Sequence, residues 1–179
     1  MRRLPIAGHL RAAFLVIAVA LPPLSLAGCI GEWDVTGGTG VDRRLDSTTV
    51  RVDAGAAAAM ISGYRADNGL GPVRVNASLG ALAEKQARAM ASADRMTHTV
   101  GGPFRSRLNA SGYRARVAAE NIGAGYRTLP DALTAWRGSA PHRRNLLLRE
   151  ATEFGIGTAH APGSKYSVYW SLILAAPAD

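Results

Sequence analysis

The sequence is most informative about its fold at residues 152–174, which read TEFGIGTAHAPGSKYSVYWSLIL. Two runs, residues 152–158 and residues 166–174, are rich in the aliphatic and aromatic side chains that favour β-strands. Gly163 and Ser164 lie between the two runs and are typical of a turn. We therefore predict that the runs pair as a β-hairpin.

Helical patterns precede this hairpin. Residues 55–68 place apolar side chains on one side of a helix, and Gly69 would end it. Residues 78–96 give the clearest pattern, with an apolar stripe at helical spacing made by Leu79, Leu82, Ala83, Met90 and Ala93. Shorter helical patterns follow at residues 104–111, 129–136 and 139–148. Helices followed by strands predict an α+β fold with helices packed on an antiparallel sheet.

Polar segments interrupt this apolar frame in three places, and each segment carries one residue that can titrate or bind a metal. These residues are His98, Glu120 and His142, separated by 22 positions each time. Two imidazoles and a carboxylate can bind a divalent metal or act as an acid–base pair. A purely structural role for each histidine remains open, because only the fold could bring such distant residues together.

A longer pattern of residues surrounds these three positions. It consists of Tyr64-Arg65-x-x-Asn68-Gly69-Leu70, Met96-Thr97-His98, Gly112-Tyr113, Ala119-Glu120-Asn121-Ile122, Trp136-x-x-Ser139-x-x-His142-Arg143-x-Asn145-Leu146-Leu147, Glu153-Phe154-Gly155-Ile156-Gly157 and Tyr169-Trp170. In order and spacing it resembles the CAP superfamily of cysteine-rich secretory, antigen 5 and pathogenesis-related proteins. Within that superfamily it looks most like the bacterial branch with SCP-like extracellular domains.

This resemblance implies a three-layer α-β-α sandwich with a central antiparallel sheet and a cleft that holds two histidines and two glutamates. The matching cleft residues are His98, Glu120 and His142, whereas the position of the second glutamate is occupied by Ser139. We interpret Ser139 as a helix N-cap rather than a nucleophile. We interpret Asn121, beside Glu120, as a residue that ties backbone groups together.

The resemblance also implies that His98 and His142 can bind zinc or magnesium, with Glu120 orienting the imidazoles. Replacement of one glutamate by Ser139 weakens that site. The sequence has no cysteine after Cys29, so its domain cannot use the disulfides of eukaryotic relatives. We therefore expect the domain to fold on its hydrophobic core alone, with no metal required.

The first residues have the pattern of an export signal. Three arginines precede the apolar run AAFLVIAVAL at residues 12–21, and small residues follow. Leu26-Ala27-Gly28-Cys29 resembles the bacterial lipobox, which implies cleavage before Cys29 and lipid attachment to its sulfur. We predict a lipoprotein signal peptide at residues 1–28, a flexible tether at residues 29–53 and a CAP domain at residues 54–179. Ile30, rather than an aspartate, favours the outer membrane if the source is Gram-negative.

The net charge of +8 would drop to +5 on removal of Arg2, Arg3 and Arg11, leaving 18 basic against 13 acidic residues. Because the remaining arginines are scattered, we interpret them as a solvated basic surface and predict no nucleic-acid partner. We favour an exported, membrane-anchored and monomeric binding module for a divalent metal and a small or lipid-like ligand. Two alternatives remain, a metal- or His/Glu-dependent hydrolase and a structural envelope protein with a vestigial cleft.

Overall fold

The structure, a computed structural model, describes residues 52–178. The predicted signal peptide and Cys29 lie outside this range, as does the predicted tether apart from its last two residues. The described elements are α1 (Ala54–Ala66), β1 (Arg74–Val75), α2 (Ala77–Ser92), α3 (Phe104–Ala110), β2 (Ala115–Ala124), α4 (Leu129–Gly138), α5 (Ala140–Leu146), β3 (Glu153–His160) and β4 (Val168–Pro177). No helix among residues 52–178 is long and apolar enough to cross a membrane.

The four described strands form one sheet in the order β1-β3-β4-β2. The predicted hairpin is confirmed, since β3 and β4 are antiparallel neighbours. Strand β2 adds to the other edge of β4, also antiparallel. The two-residue β1 differs from the expected all-antiparallel arrangement, because it pairs parallel with β3.

Helices cover both faces of the sheet and make the predicted α+β sandwich. Alternate residues of β4 point to opposite faces. Leu172 and Leu174 belong to a core shared with α1, α4 and α5, whereas Ile173 and Ala175 pack with α2 and α3. The β4 strand, buried along nearly its whole length, is therefore the wall between two hydrophobic cores.

Helix α2 packs directly on the backbone of β3, and two glycines make this approach feasible. A Cβ added at Gly155 would lie 2.1 Å from the backbone of α2, at Gly80 N and Leu79 C. A Cβ at Gly157 would lie 2.3 Å from Glu84 N. Helix α2 therefore packs on the backbone of the Gly155-Ile156-Gly157 segment, and a side chain at either glycine would clash with the helix.

Helix α2 ends at Ser92, four residues before the predicted end. Asp94 adopts a left-handed conformation with φ of 44°. Arg95 N donates to Met90 O and Asp94 N to Ala91 O, which is the Schellman pattern with aspartate in the place of the usual glycine. The Asp94 carboxylate accepts bonds from Lys165 N and the Tyr169 hydroxyl. Long-range contacts to the β3–β4 connection and to β4 therefore stabilise this helix end.

Arg65 is a fully buried cation at the end of α1. Its guanidinium donates to four backbone carbonyl oxygens, those of Gly71, Leu146, Leu148 and Ala151. Burial lowers the pKa of this guanidinium. The side chain joins the segment after α1 to the segment between α5 and β3, which are about eighty positions apart in sequence.

A second polar network joins β1 to β3. The buried Glu153 carboxylate accepts hydrogen bonds from Arg74, Asn76 and the Tyr113 hydroxyl. The bond from Tyr113 is the main cause of a lowered Glu153 pKa, with Arg74 and Asn76 acting in the same direction and burial opposing them. Glu153 therefore has a structural role, which agrees with its place outside the cleft motif.

Candidate functional site

His98 lies in a loop after α2 that other side chains hold in place. Gln86, on the packed face of α2, donates to Thr97 O. Arg107, on α3, donates to the carbonyl oxygen of His98 itself. The His98 side chain is half exposed, at 49%. Its imidazole is therefore anchored through its backbone and still accessible to a ligand.

Glu120 lies on β2, on the same sheet face as α2, and its side chain is only 2% exposed. Its carboxylate lies 2.8 Å from His98 Nδ1 and accepts bonds from Arg107 Nη2 at 3.0 Å and from Ser171 Oγ at 3.4 Å. An ionised carboxylate can only accept, so His98 Nδ1 must carry a proton and donate. In the neutral imidazole, Nε2 then carries no proton, and its lone pair is available to a ligand or metal.

Arg107 is a functional residue that the sequence did not reveal. Its side chain is 5% exposed, and it contacts both Glu120 oxygens while Nε donates to Gly102 O. A buried carboxylate needs such compensation, because removal of a charge from water is costly without a partner. One signal was available in the sequence, since Arg107 shares a helical face with Phe104 and Leu108.

His142 lies on α5, a helix that packs with α1 and α4 on the opposite face of the sheet from α2. Asn121 points away from Glu120 and donates to His142 O at 3.0 Å. Asn145 donates to Asn121 Oδ1 and also to Glu120 O. These bonds fix the start of α5 against β2, which matches the backbone-tying role expected of Asn121.

His142 lies close enough to His98 for the charge of His98 to affect it. Burial lowers the pKa of His142, and the proximity of His98 lowers it further. His142 is therefore favoured as a neutral imidazole, which is the form that binds metals. Ser139 lies at the predicted N-cap position of α5, but its side chain makes no capping hydrogen bond. Its backbone carbonyl instead accepts from Arg143 N.

The number of side chains available as metal ligands limits the kind of metal site that these residues could form. Among residues 52–178, no group of three or more His, Cys, Asp or Glu side chains is arranged to hold a metal ion. Glu120 is already occupied by Arg107 and His98, so it orients an imidazole rather than offering a ligand. Two imidazoles remain, His98 through Nε2 and His142. An ion held by these two would have to take its other ligands from water or from a bound molecule.

Solved structures with this fold include an extracellular protein with an SCP domain from Bacillus anthracis str. Ames. It has a TM-score of 0.61 and 21% identity, covering 68% of this chain and 39% of that protein. An outer surface protein from Borrelia burgdorferi has a TM-score of 0.63 and 16% identity, covering 69% of this chain and 92% of that protein. These likenesses place the domain in the class of SCP-type sandwiches.

Residues 58–174, more than half of the chain, match the sequence model of the cysteine-rich secretory protein family, CAP. The chain therefore belongs to the CAP family. The uncharacterized protein YkwD of Bacillus subtilis (strain 168) is 30% identical over 96 residues, which cover 52% of this chain and 37% of YkwD. The chain thus spans less than two fifths of the length of either Bacillus protein.

Proposed function

We propose that this chain is an exported, lipid-anchored CAP domain that binds a divalent metal and a small ligand in the cleft of His98 and His142. The observation that carries the proposal is the chain of contacts from Arg107 to Glu120 to His98 Nδ1. It holds one imidazole in a fixed tautomer with Nε2 free. Preorganised donors of this kind are typical of binding and catalytic sites.

The proposed metal site uses both imidazoles. The lowered pKa of His142 keeps that ring neutral, and Glu120 fixes the tautomer of His98. A zinc or magnesium ion bound there would supply a Lewis acid with open coordination positions for a carboxylate, phosphate or carbonyl oxygen of the ligand. Only two protein ligands are available, so we expect weak binding and easy loss of the ion.

A binding role is favoured over hydrolysis by the environment of Glu120. Ser171 is the hydroxyl beside this carboxylate, and it is fully buried beneath the cleft. The Glu120 carboxylate is held by three side chains, and both of its oxygens already accept hydrogen bonds. These features support a fixed recognition surface more than a nucleophile with its base.

Export and anchoring are supported by the lipobox-like segment that ends in Cys29 and by the extracellular and outer-surface proteins that share the fold. The test is fractionation of cells that express the chain. Wild type should carry lipid and partition into detergent with the membrane, whereas Cys29→Ser should lack acyl chains. Acylated, membrane-retained Cys29→Ser would overturn the anchor.

The cleft is tested by calorimetric titration of the purified protein with zinc. We expect one weak site that is lost when His98 and His142 are both replaced by alanine. His160→Ala is the matched control, because this histidine lies at the end of β3 and outside the motif. Zinc affinity should fall in acid, because metal binding requires neutral imidazole, and the lowered pKa of His142 places protonation of that ring below the ordinary histidine value of about 6.5. Unchanged zinc binding by the double variant would remove the metal proposal.

A further inference from the structure

A second concave surface lies between α2 and α3, apart from the histidine cleft. It encloses about 460 Å³, within the range of small-molecule sites. Its lining comes from α2, from α3 and from the loop between them, and includes Ser78, Leu82, Lys85, Ser106 and Arg107; we call it the α2–α3 groove. Neither histidine of the cleft lines it. The groove is therefore a separate candidate for ligand binding.

The ionisable residues that line the α2–α3 groove are all positively charged. Lys85 and Arg107 are its ionisable lining residues, and no carboxylate lines it. Within residues 52–178, no hydrogen bond or ion pair engages the side chains of Lys85, Ser78 or Ser106, so these groups are available to a ligand. Ala81, Leu82 and Ala110 form the apolar part of the lining, and Gly101, Gly102 and Ser111 complete it.

Arg107 lines the groove although its side chain is almost fully buried, and part of its hydrogen-bonding capacity is unused. Its Nε and Nη2 atoms are engaged by Gly102 O, His98 O and Glu120, but Nη1 is buried and has no partner among the described residues. A buried N–H without an acceptor loses its hydration and gains nothing in return. The side chain that carries this atom lines the groove, but Nη1 itself is enclosed by protein, so a ligand in the groove meets the positive charge of Arg107 rather than this N–H.

We propose that the α2–α3 groove binds a small oxyanion, the carboxylate or phosphate group of a solute. Lys85 supplies a mobile positive charge, Arg107 a fixed one that Glu120 partly offsets, and Ser78 and Ser106 supply hydroxyl donors. Charge-assisted hydrogen bonds from cations to such oxygens are the strong class of polar contact. The apolar lining accommodates a short hydrocarbon body beside the charged group. The groove shares Arg107 with the histidine cleft, but binding of an oxyanion in it requires no metal in the cleft.

The test is an NMR titration of the purified protein with inorganic phosphate and, separately, with butyrate, each at constant ionic strength. We expect saturable shifts of the Gly101 and Gly102 amides. Lys85→Gln should weaken binding about tenfold, because one charge-assisted bond is lost. Lys165→Gln is the matched control, since it removes the same charge from the β3–β4 connection and should bind like wild type.

Two results would overturn the proposal. One is the absence of saturable shifts with either anion. The other is equal weakening by Lys85→Gln and Lys165→Gln, which indicates general charge attraction. A crystal grown with phosphate adds a direct check. Density for only a water between Arg107 Nη1 and the equally unpaired Gln86 Oε1 would explain both orphan atoms without a ligand site.

Discussion

Replacement of Gly155 by alanine should disrupt the packing of α2 on the sheet and destabilise the fold. The new Cβ would lie 2.1 Å from two backbone atoms of α2, whereas ordinary contact begins near 3.4 Å. The helix must therefore move by more than 1 Å, since backbone cannot rotate away as a flexible side chain can. Overpacking of a core costs about 1–3 kcal/mol, and a clash between two backbones belongs at or above the upper limit. Domains of this kind have only about 5–15 kcal/mol of total stability.

The assay is thermal and urea unfolding of the purified variants, followed by circular dichroism. A loss of about 3 kcal/mol should lower the Tm by roughly 10 °C. Gly63→Ala is the control, because Gly63 is an exposed helical glycine whose added Cβ would meet no described atom within 4 Å. That variant should gain about 0.5–1 kcal/mol. A loss below about 1 kcal/mol for Gly155→Ala would refute direct seating of α2 on β3.

Three further predictions concern the buried polar groups. Arg65→Met should cost about 3 kcal/mol or more in urea unfolding, because four carbonyls lose their donor, and near-wild-type stability would contradict that role. The lowered pKa of Glu153 stabilises the fold above about pH 4.5 and is lost as the pH falls through the folded value, so Glu153→Gln should flatten the Tm profile in acid. Arg107→Lys should lose about 1.5–3 kcal/mol of stability in the same unfolding assay, because lysine lacks the fork that reaches Glu120 and two carbonyls at once. An unchanged acid profile or an unchanged Arg107→Lys would count against these assignments.

The hairpin and α2 could be predicted from sequence because each is decided by a local pattern. The strand runs are dense in β-formers, and α2 has an apolar stripe. Strand β2 was identified only as a polar segment, since it buries Glu120 on one face and Asn121 on the other. Its pairing with β4 links residues about fifty positions apart, and no local pattern reports such a pairing.

The cleft residues could be identified through the family pattern, whereas Arg107, which organises them, left only the weak signal of its place on the same face of α3 as Phe104 and Leu108. Arg105 and Arg107 look alike in the sequence, yet Arg105 is exposed and Arg107 is buried against Glu120. An arginine on a short helix is ordinarily expected in solvent. Ser139 illustrates a different difficulty. It lies at the predicted N-cap position of α5, but its side chain makes no capping hydrogen bond.

Arg65 resembles a bound calcium ion in its coordination. It is a cation surrounded by backbone carbonyl oxygens from separate loops, which is one way that calcium crosslinks extracellular domains. Here the cation is covalently part of the chain, so a chelator cannot extract it and dilution cannot release it. The loops around α5 and β3 therefore keep their crosslink whatever the ion content of the medium in which the domain works.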